Sequence, residues 1–170
     1  MRKRLLRLAA VPLLLAGLAA AKSKEAVVLE IVLEKPEVPL SGEIKTGFKL
    51  VNKSREPVMV NQRFKLGSPK AAAGQREIVL EVKNADGSPV EMKNIDYETG
   101  LPKSAYFKLL KPGEEASSER KWNLKDLAKI EKPGSYEITA TYQNSFGKEL
   151  GLEVFREKVS ASATVRVVEG

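Results

Sequence analysis

The chain contains neither cysteine nor histidine. Without cysteine it has no disulfide bond, no thiol nucleophile and no lipid attached through an N-terminal cysteine. Without histidine it has no Ser-His-Asp triad, no His-Glu-x-x-His zinc site and no imidazole ligand for a metal. The sequence also lacks a P-loop and a Gly-x-Gly-x-x-Gly motif. These absences exclude most common catalytic centres, and we expect neither an enzyme nor a cofactor.

Long hydrophobic runs are also missing, except at the N-terminus. Basic residues in positions 1–7 precede an uncharged stretch, 8–21, that is mostly leucine and alanine and ends in three alanines. This order predicts a secretory signal peptide over residues 1–21, cleaved after Ala21, and therefore a periplasmic or extracellular protein. The alternative is a retained membrane anchor. A spanning helix needs about 20 apolar residues, whereas this run is shorter and contains a proline and a glycine.

The net charge of the chain is small once the predicted signal peptide is left out of the count. The chain has a formal net charge of +7, of which the four basic residues of positions 1–21 contribute +4, so the remainder carries +3. Lysine and arginine are interleaved with glutamate, as in residues 25–35. A nucleic-acid interface needs basic residues clustered on one face, so we expect no nucleic-acid partner. The expected partner is another envelope or extracellular protein.

Residues 22–170 have the length of one domain, and their pattern is strand-like. Ile44, Thr46, Phe48 and Leu50 alternate with other residue types, and the segment 136–142 alternates in the same way. Turn signals separate such runs about every 8–12 residues. The sequence therefore predicts an all-β fold, an immunoglobulin-like antiparallel β-sandwich of about seven to nine strands. One helical turn is expected over residues 125–130.

Two turns have specific signatures. The run Asn84-Ala85-Asp86-Gly87 predicts a hairpin in which Asp86 and Gly87 both take positive φ. The run Asn52-Lys53-Ser54 matches a glycosylation sequon, but its composition is equally typical of a β-turn. The sequence leaves both interpretations of Asn52 open.

A resemblance comes from the order of elements between residues 107 and 142. Residues 107–114 contain Leu-Lys-Pro-Gly-Glu, an extended strand leads to Trp122-Asn123-Leu124, and residues 132–140 begin Lys-Pro-Gly-Ser-Tyr. This order resembles bacterial extracellular immunoglobulin-like domains. It is also similar to the BsuPI-type proteinase-inhibitor domain and to the β-domain that precedes deuterolysin-type metallopeptidases. The resemblance lies mainly in turns, so it implies a fold more than a function.

Four residues of this region have predicted structural roles. Gly113 and Gly134 are expected to supply backbone conformations that a Cβ atom disfavours. Tyr136 follows a Pro-Gly corner and predicts a tyrosine corner, whose hydroxyl bonds to nearby backbone. Trp122, the only tryptophan, is expected to fill the space between the sheets rather than to stack on a ligand.

Carboxylates are the remaining candidates for chemistry. Glu114-Glu115, and Asp96 with Glu98, could be drawn as glycosidase acids or calcium ligands. Glycoside hydrolysis needs two carboxyl groups about 5–10 Å apart in a cleft, and calcium loops show regularly spaced acids that this chain lacks. We therefore interpret these acids as solvated turn residues. An enzyme that uses carboxylates alone is a hypothesis that ranks third, below a binding module and a proteinase inhibitor.

Two loops carry residue types that are favoured at interfaces. Arg63 and Phe64 lie in one, and Tyr97 lies in an irregular stretch that ends near Tyr106. The first hypothesis is thus an exported, non-catalytic binding or scaffolding module that uses these four residues. The second, from the BsuPI-type resemblance, is a proteinase inhibitor that presents the lysine-containing loop 66–76 to a protease.

The signal peptide makes a prediction about processing. When the full chain is produced in a secreting host, the exported protein should begin at Lys22, as measured by intact mass and N-terminal sequencing. Substitution Ala21→Leu should block cleavage because the peptidase requires small residues at the A-x-A positions, whereas Ala20→Leu, at the middle position, should be processed normally. An exported protein that retains residues 1–21 would establish the anchor instead.

Overall fold

A computed structural model describes residues 26–67, 76–93 and 100–170. The predicted signal peptide and Tyr97 lie outside these ranges. Strands dominate the described residues: β1 (Val27–Leu33), β2 (Glu37–Pro39), β3 (Lys45–Asn52), β4 (Val58–Asn61), β5 (Leu66–Gly67), β6 (Ile78–Asn84), β7 (Phe107–Leu110), β8 (Glu115–Ser117), β9 (Trp122–Asn123), β10 (Gly134–Tyr142) and β11 (Val159–Val168). The helical elements are single turns, namely α1 (Leu124–Leu127) and two 3-10 helices (Ser104–Tyr106 and Lys148–Leu150).

The strands form one four-stranded, one five-stranded and one two-stranded sheet. In the first sheet the order is β1-β3-β8, with β9 also paired to β3; in the second it is β2-β11-β10-β6-β5; and β4 pairs with β7. The predicted all-β fold is confirmed, and seven of the described strands have four residues or more. Not every pair is antiparallel, because the short edge strands β2 and β5 run parallel to β11 and β6.

The core lies between the inner faces of the sheets, and β1 packs along β11. On β3, Thr46, Phe48 and Leu50 are buried, as their alternation predicts. The second sheet contributes the alternating buried residues of β10 and their neighbours on β6 and β11. Removing such side chains from water contributes about 1.5–3 kcal/mol each. Trp122 belongs to this core, with its ring 5.4 Å from that of Phe48 and tilted by 43°.

The corner before β10 contains the predicted hydrogen bond. The hydroxyl of Tyr136 donates to the carbonyl oxygen of Lys132 at 2.7 Å while its ring is buried. Gly113 takes φ +82° between β7 and β8, a left-handed conformation that glycine adopts at little cost. Gly134 has φ +158°, which residues with a Cβ atom rarely adopt, so it also supplies the expected backbone conformation.

The hairpin after β6 differs in detail from the sequence-based expectation. Gly87 has φ +83°, but among described residues other than glycine only Phe64 has positive φ, so Asp86 does not. The amide of Gly87 donates to Asn84 O at 2.9 Å and the amide of Asn84 donates to Ser88 O at 2.8 Å. The loop thus has three residues with one left-handed position, a common alternative to the two-residue turn.

The Asn52 turn decides between the two interpretations of the sequon. Asn52 is fully buried, and its Nδ2 donates to Glu56 O at 2.8 Å and to Leu110 O at 2.9 Å. Its Oδ1 accepts from the amide of Ser54 at 2.9 Å. Both hydrogens of the amide nitrogen are used inside the fold, so the folded protein offers no accessible atom for a glycan.

No helix in the described part of the chain is long and apolar enough to cross a membrane.

The tyrosine corner can be tested by removing one oxygen atom. Tyr136→Phe should lower the free energy of unfolding by about 1 kcal/mol, because the carbonyl of Lys132 loses its partner. The matched control is Tyr106→Phe. Tyr106 is exposed and its hydroxyl has no hydrogen bond to a described residue, so this substitution should change stability by less than about 0.5 kcal/mol. Urea denaturation measures both, and equal effects would contradict the role of the corner.

Candidate functional site

A cleft of about 550 Å³ lies where the first sheet ends at β8 and β9. Side chains from three segments line it, in residues 62–66, 103–106 and 117–122. The first segment joins β4 to β5, and the second is the 3-10 helix before β7. The amide of Gln62 donates to Tyr106 O at 2.8 Å, which fixes these two segments to each other.

The third segment is held at both ends by β3. The amide of Ser118 donates to Phe48 O at 2.8 Å and its Oγ accepts from the amide of Phe48 at 3.0 Å. After the loop 119–121, the chain returns to β3, where Trp122 pairs with Thr46. Glu119 and Arg120 therefore project from a loop that is anchored at both ends.

The charge of the lining is unbalanced. Four cationic residues line the cleft (Arg63, Lys65, Lys103 and Arg120) against one carboxylate, Glu119. Lys103 and Arg120 are exposed, and neither forms an ion pair with another described residue. The cleft thus presents uncompensated positive charge to solvent.

Arg63, a predicted binding residue, has a different role. Its side chain is 11% exposed, and Nη2 lies 2.5 Å from Oε1 of Glu77, which is fully buried. Nε also donates to Glu77 and Nη1 donates to Gly100 O at 2.7 Å, while the guanidinium carbon lies 5.3 Å from the centre of the Phe146 ring. Arg63 therefore lines the cleft as part of its wall, and its charge is neutralised by Glu77.

Glu77 is the centre of a buried polar network. Its Oε1 accepts from Nδ2 of Asn61 at 3.0 Å, and its Oε2 accepts from the amide of Lys65 at 2.9 Å. Asn61 in turn bonds Asn144, and Tyr142 Oη both donates to Asn61 O and accepts from its amide. Burial raises the pKa of Tyr142, so this hydroxyl keeps its proton. Each carboxylate oxygen of Glu77 is thus hydrogen-bonded, as a buried charge requires.

The predicted binding role of Phe64 is wrong. Its side chain is fully buried and joins the core, so it does not reach a partner. Its backbone has φ +49°, a left-handed conformation that costs a bulky residue about 1–3 kcal/mol. The neighbours on both sides, Arg63 and Lys65, are bonded to Glu77, and this restraint holds Phe64 in place.

Tyr106 lies where a binding residue would be useful. Tyr106 is 41% exposed and lines the cleft together with Trp122, which is 9% exposed. Whether Tyr106 contacts a partner stays a prediction. Tyr97 lies outside the described residues, so its predicted role stays a prediction as well.

Sequence reasoning did not select the free charges of the cleft. Lys103 follows Pro102 in an irregular stretch, and Arg120 lies within a run of charged residues after Ser118. Neither belongs to a motif or a periodic pattern. Their common location arises only when the 103–106 and 117–122 segments come together.

Glu114 and Glu115, the described members of the candidate acids, do not line this cleft. Glu119 is the single carboxylate lining the cleft, whereas glycoside hydrolysis uses a pair. Glu115 pairs with Lys49 at 3.0 Å, and Glu114 accepts from the amide of Lys111 at 3.0 Å. The described residues contain no group of three or more acids that could hold a metal ion. Asp96 and Glu98 lie outside these residues.

No protein-family model and no curated protein sequence matches the chain. The resemblance of residues 107–142 to immunoglobulin-like and inhibitor domains therefore stays a prediction.

Removing the charge of Glu77 should destabilise the whole fold. Glu77→Gln leaves the guanidinium of Arg63 without its counter-ion, and breaking such a buried pair costs about 3–5 kcal/mol. Glu81→Gln is the matched control, because Glu81 is exposed on β6, the strand that begins one residue after Glu77, and it should change stability by less than about 0.5 kcal/mol. Thermal and urea unfolding measure the difference, and a stable Glu77→Gln protein would show that the network contributes little.

Proposed function

We propose that the protein is an exported, non-catalytic binding module that holds another envelope or extracellular protein at its cleft. The observation that supports this most is the combination of exposed aromatic surface, from Tyr106, with the free cations Lys103 and Arg120. Aromatic and arginine side chains are enriched at the energetically important centres of interfaces. Export is supported by the N-terminal pattern of residues 1–21.

The construction of the cleft supports recognition rather than reaction. Hydrogen bonds to β3 and the Arg63–Glu77 pair hold its walls, so little conformational entropy is lost when a partner binds. The lining offers donors and cations, but it has a single carboxylate. Such a surface favours affinity for a partner over proton transfer.

The inhibitor alternative depends on the loop 66–76. Most of that loop lies outside the described residues, and Leu66 and Gly67 at its start are buried in β5. No observation in the described residues favours it over a binding module.

The test is capture of a partner by two charge-reversed variants. The full chain is immobilised and exposed to an envelope extract, and captured proteins are quantified by mass spectrometry. K103E/R120E should lose its stoichiometric partner because the cleft turns acidic. K53E/R55E makes the same charge change at two exposed residues of the Asn52 turn, and it should capture as well as the wild type. Equal capture by both variants, or no partner for the wild type, would overturn the proposal.

A further inference from the structure

We infer that the ligand of the cleft is an acidic, extended peptide segment that adds as a strand beside β8. The inference rests on the proposed function, since it names the ligand of that site. The relevant features are the edge of β8 that no described strand pairs with, and Lys103 and Arg120, which form no ion pair with a described residue.

The edge of β8 follows from its register on β3. The amide of Asn52 donates to Glu114 O at 3.0 Å, Leu50 pairs with Ala116, and the amide of Ser118 donates to Phe48 O at 2.8 Å. In an antiparallel pair the hydrogen-bonding residues alternate. The backbone groups of the intervening residues, at 115 and 117, therefore point away from β3.

At one of these two positions the carbonyl oxygen already has a partner. Glu115 O accepts from Nζ of Lys108 at 3.0 Å, beside β7. Ser117 lines the cleft. Its backbone N–H and C=O have no hydrogen-bond partner among the described residues. Ser117 thus offers one N–H and one C=O at the cleft, the arrangement to which an added strand bonds.

The positive charge of the cleft favours acidic peptides over basic ones. Lys103 and Arg120 come from separate segments and face one carboxylate, Glu119, because the charge of Arg63 is neutralised by Glu77. Carboxylates of an extended peptide that project beside β8 would meet these cations. A basic peptide would be repelled, which gives selectivity.

The lining also favours a peptide over a phosphate ligand. Phosphate sites are commonly built from glycine-rich loops whose successive amides converge on the anion. No glycine is among the residues that line the cleft. The available backbone is instead a strand edge.

The experiment measures binding of the full chain to a fluorescent peptide of alternating threonine and glutamate. The expected result is saturable binding whose affinity falls as salt is added. The affinity should be at least about tenfold lower for K103E/R120E and unchanged for K53E/R55E. A peptide of alternating threonine and lysine should not bind. Binding should also protect the amide of Ser117 from hydrogen exchange, which a purely electrostatic complex would not do.

A second pair of peptides tests the strand itself. N-methylation of alternate amides blocks one edge of the peptide, and the two possible methylation patterns block opposite edges. Only one pattern should abolish binding, since a strand bonds through a single edge. Equal tolerance of both patterns, no protection of Ser117, or tighter binding of inorganic phosphate or a polyuronate would overturn the inference. If these fail while cleft-dependent capture persists, the ligand class is wrong and the proposed function stands.

Discussion

The carboxylate of Glu77 is the constraint on which the rest of the structure depends. It is fully buried and bonded to Arg63, Asn61 and the backbone of Lys65. Through Asn61 the network continues to Tyr142 at the end of β10, so it joins the two-stranded sheet to the five-stranded sheet. Because an unpaired buried charge is costly, the hydrogen bonds to both oxygens of Glu77 favour this arrangement of the elements.

This network also shapes the cleft without supplying its free charge. It fixes the 62–66 segment, including the left-handed conformation of Phe64, as one wall. The opposing requirement, accessible charge, is met by Lys103 and Arg120 on segments anchored by other bonds. Structural charge and surface charge are therefore separate, and a partner of the proposed kind would bind without disturbing the buried pair.

Much of the fold was predictable from local patterns. The alternation on β3 and β10 and the hydroxyl bond of Tyr136 depend on residues that are close in sequence. The helical turn expected over 125–130 lies at Leu124–Leu127, because the backbone is already extended at Ala128. The candidate site was predicted less well. Residue type alone suggested a surface role for Arg63 and Phe64, but the first is paired with Glu77 and the second is buried. Their partners, not their identities, decide their roles.

The sequence by itself determined an all-β chain, its main strands and its turns, because a side-chain period of two and turn chemistry are local properties. Only the tertiary structure decided which edges pair in parallel and which charges stay free. It also placed Asn61 against Tyr142, 81 positions along the chain, and brought the segments containing Lys103 and Arg120 to the edge of β8. Such contacts depend on chain closure and on packing of the whole core, which no local pattern encodes.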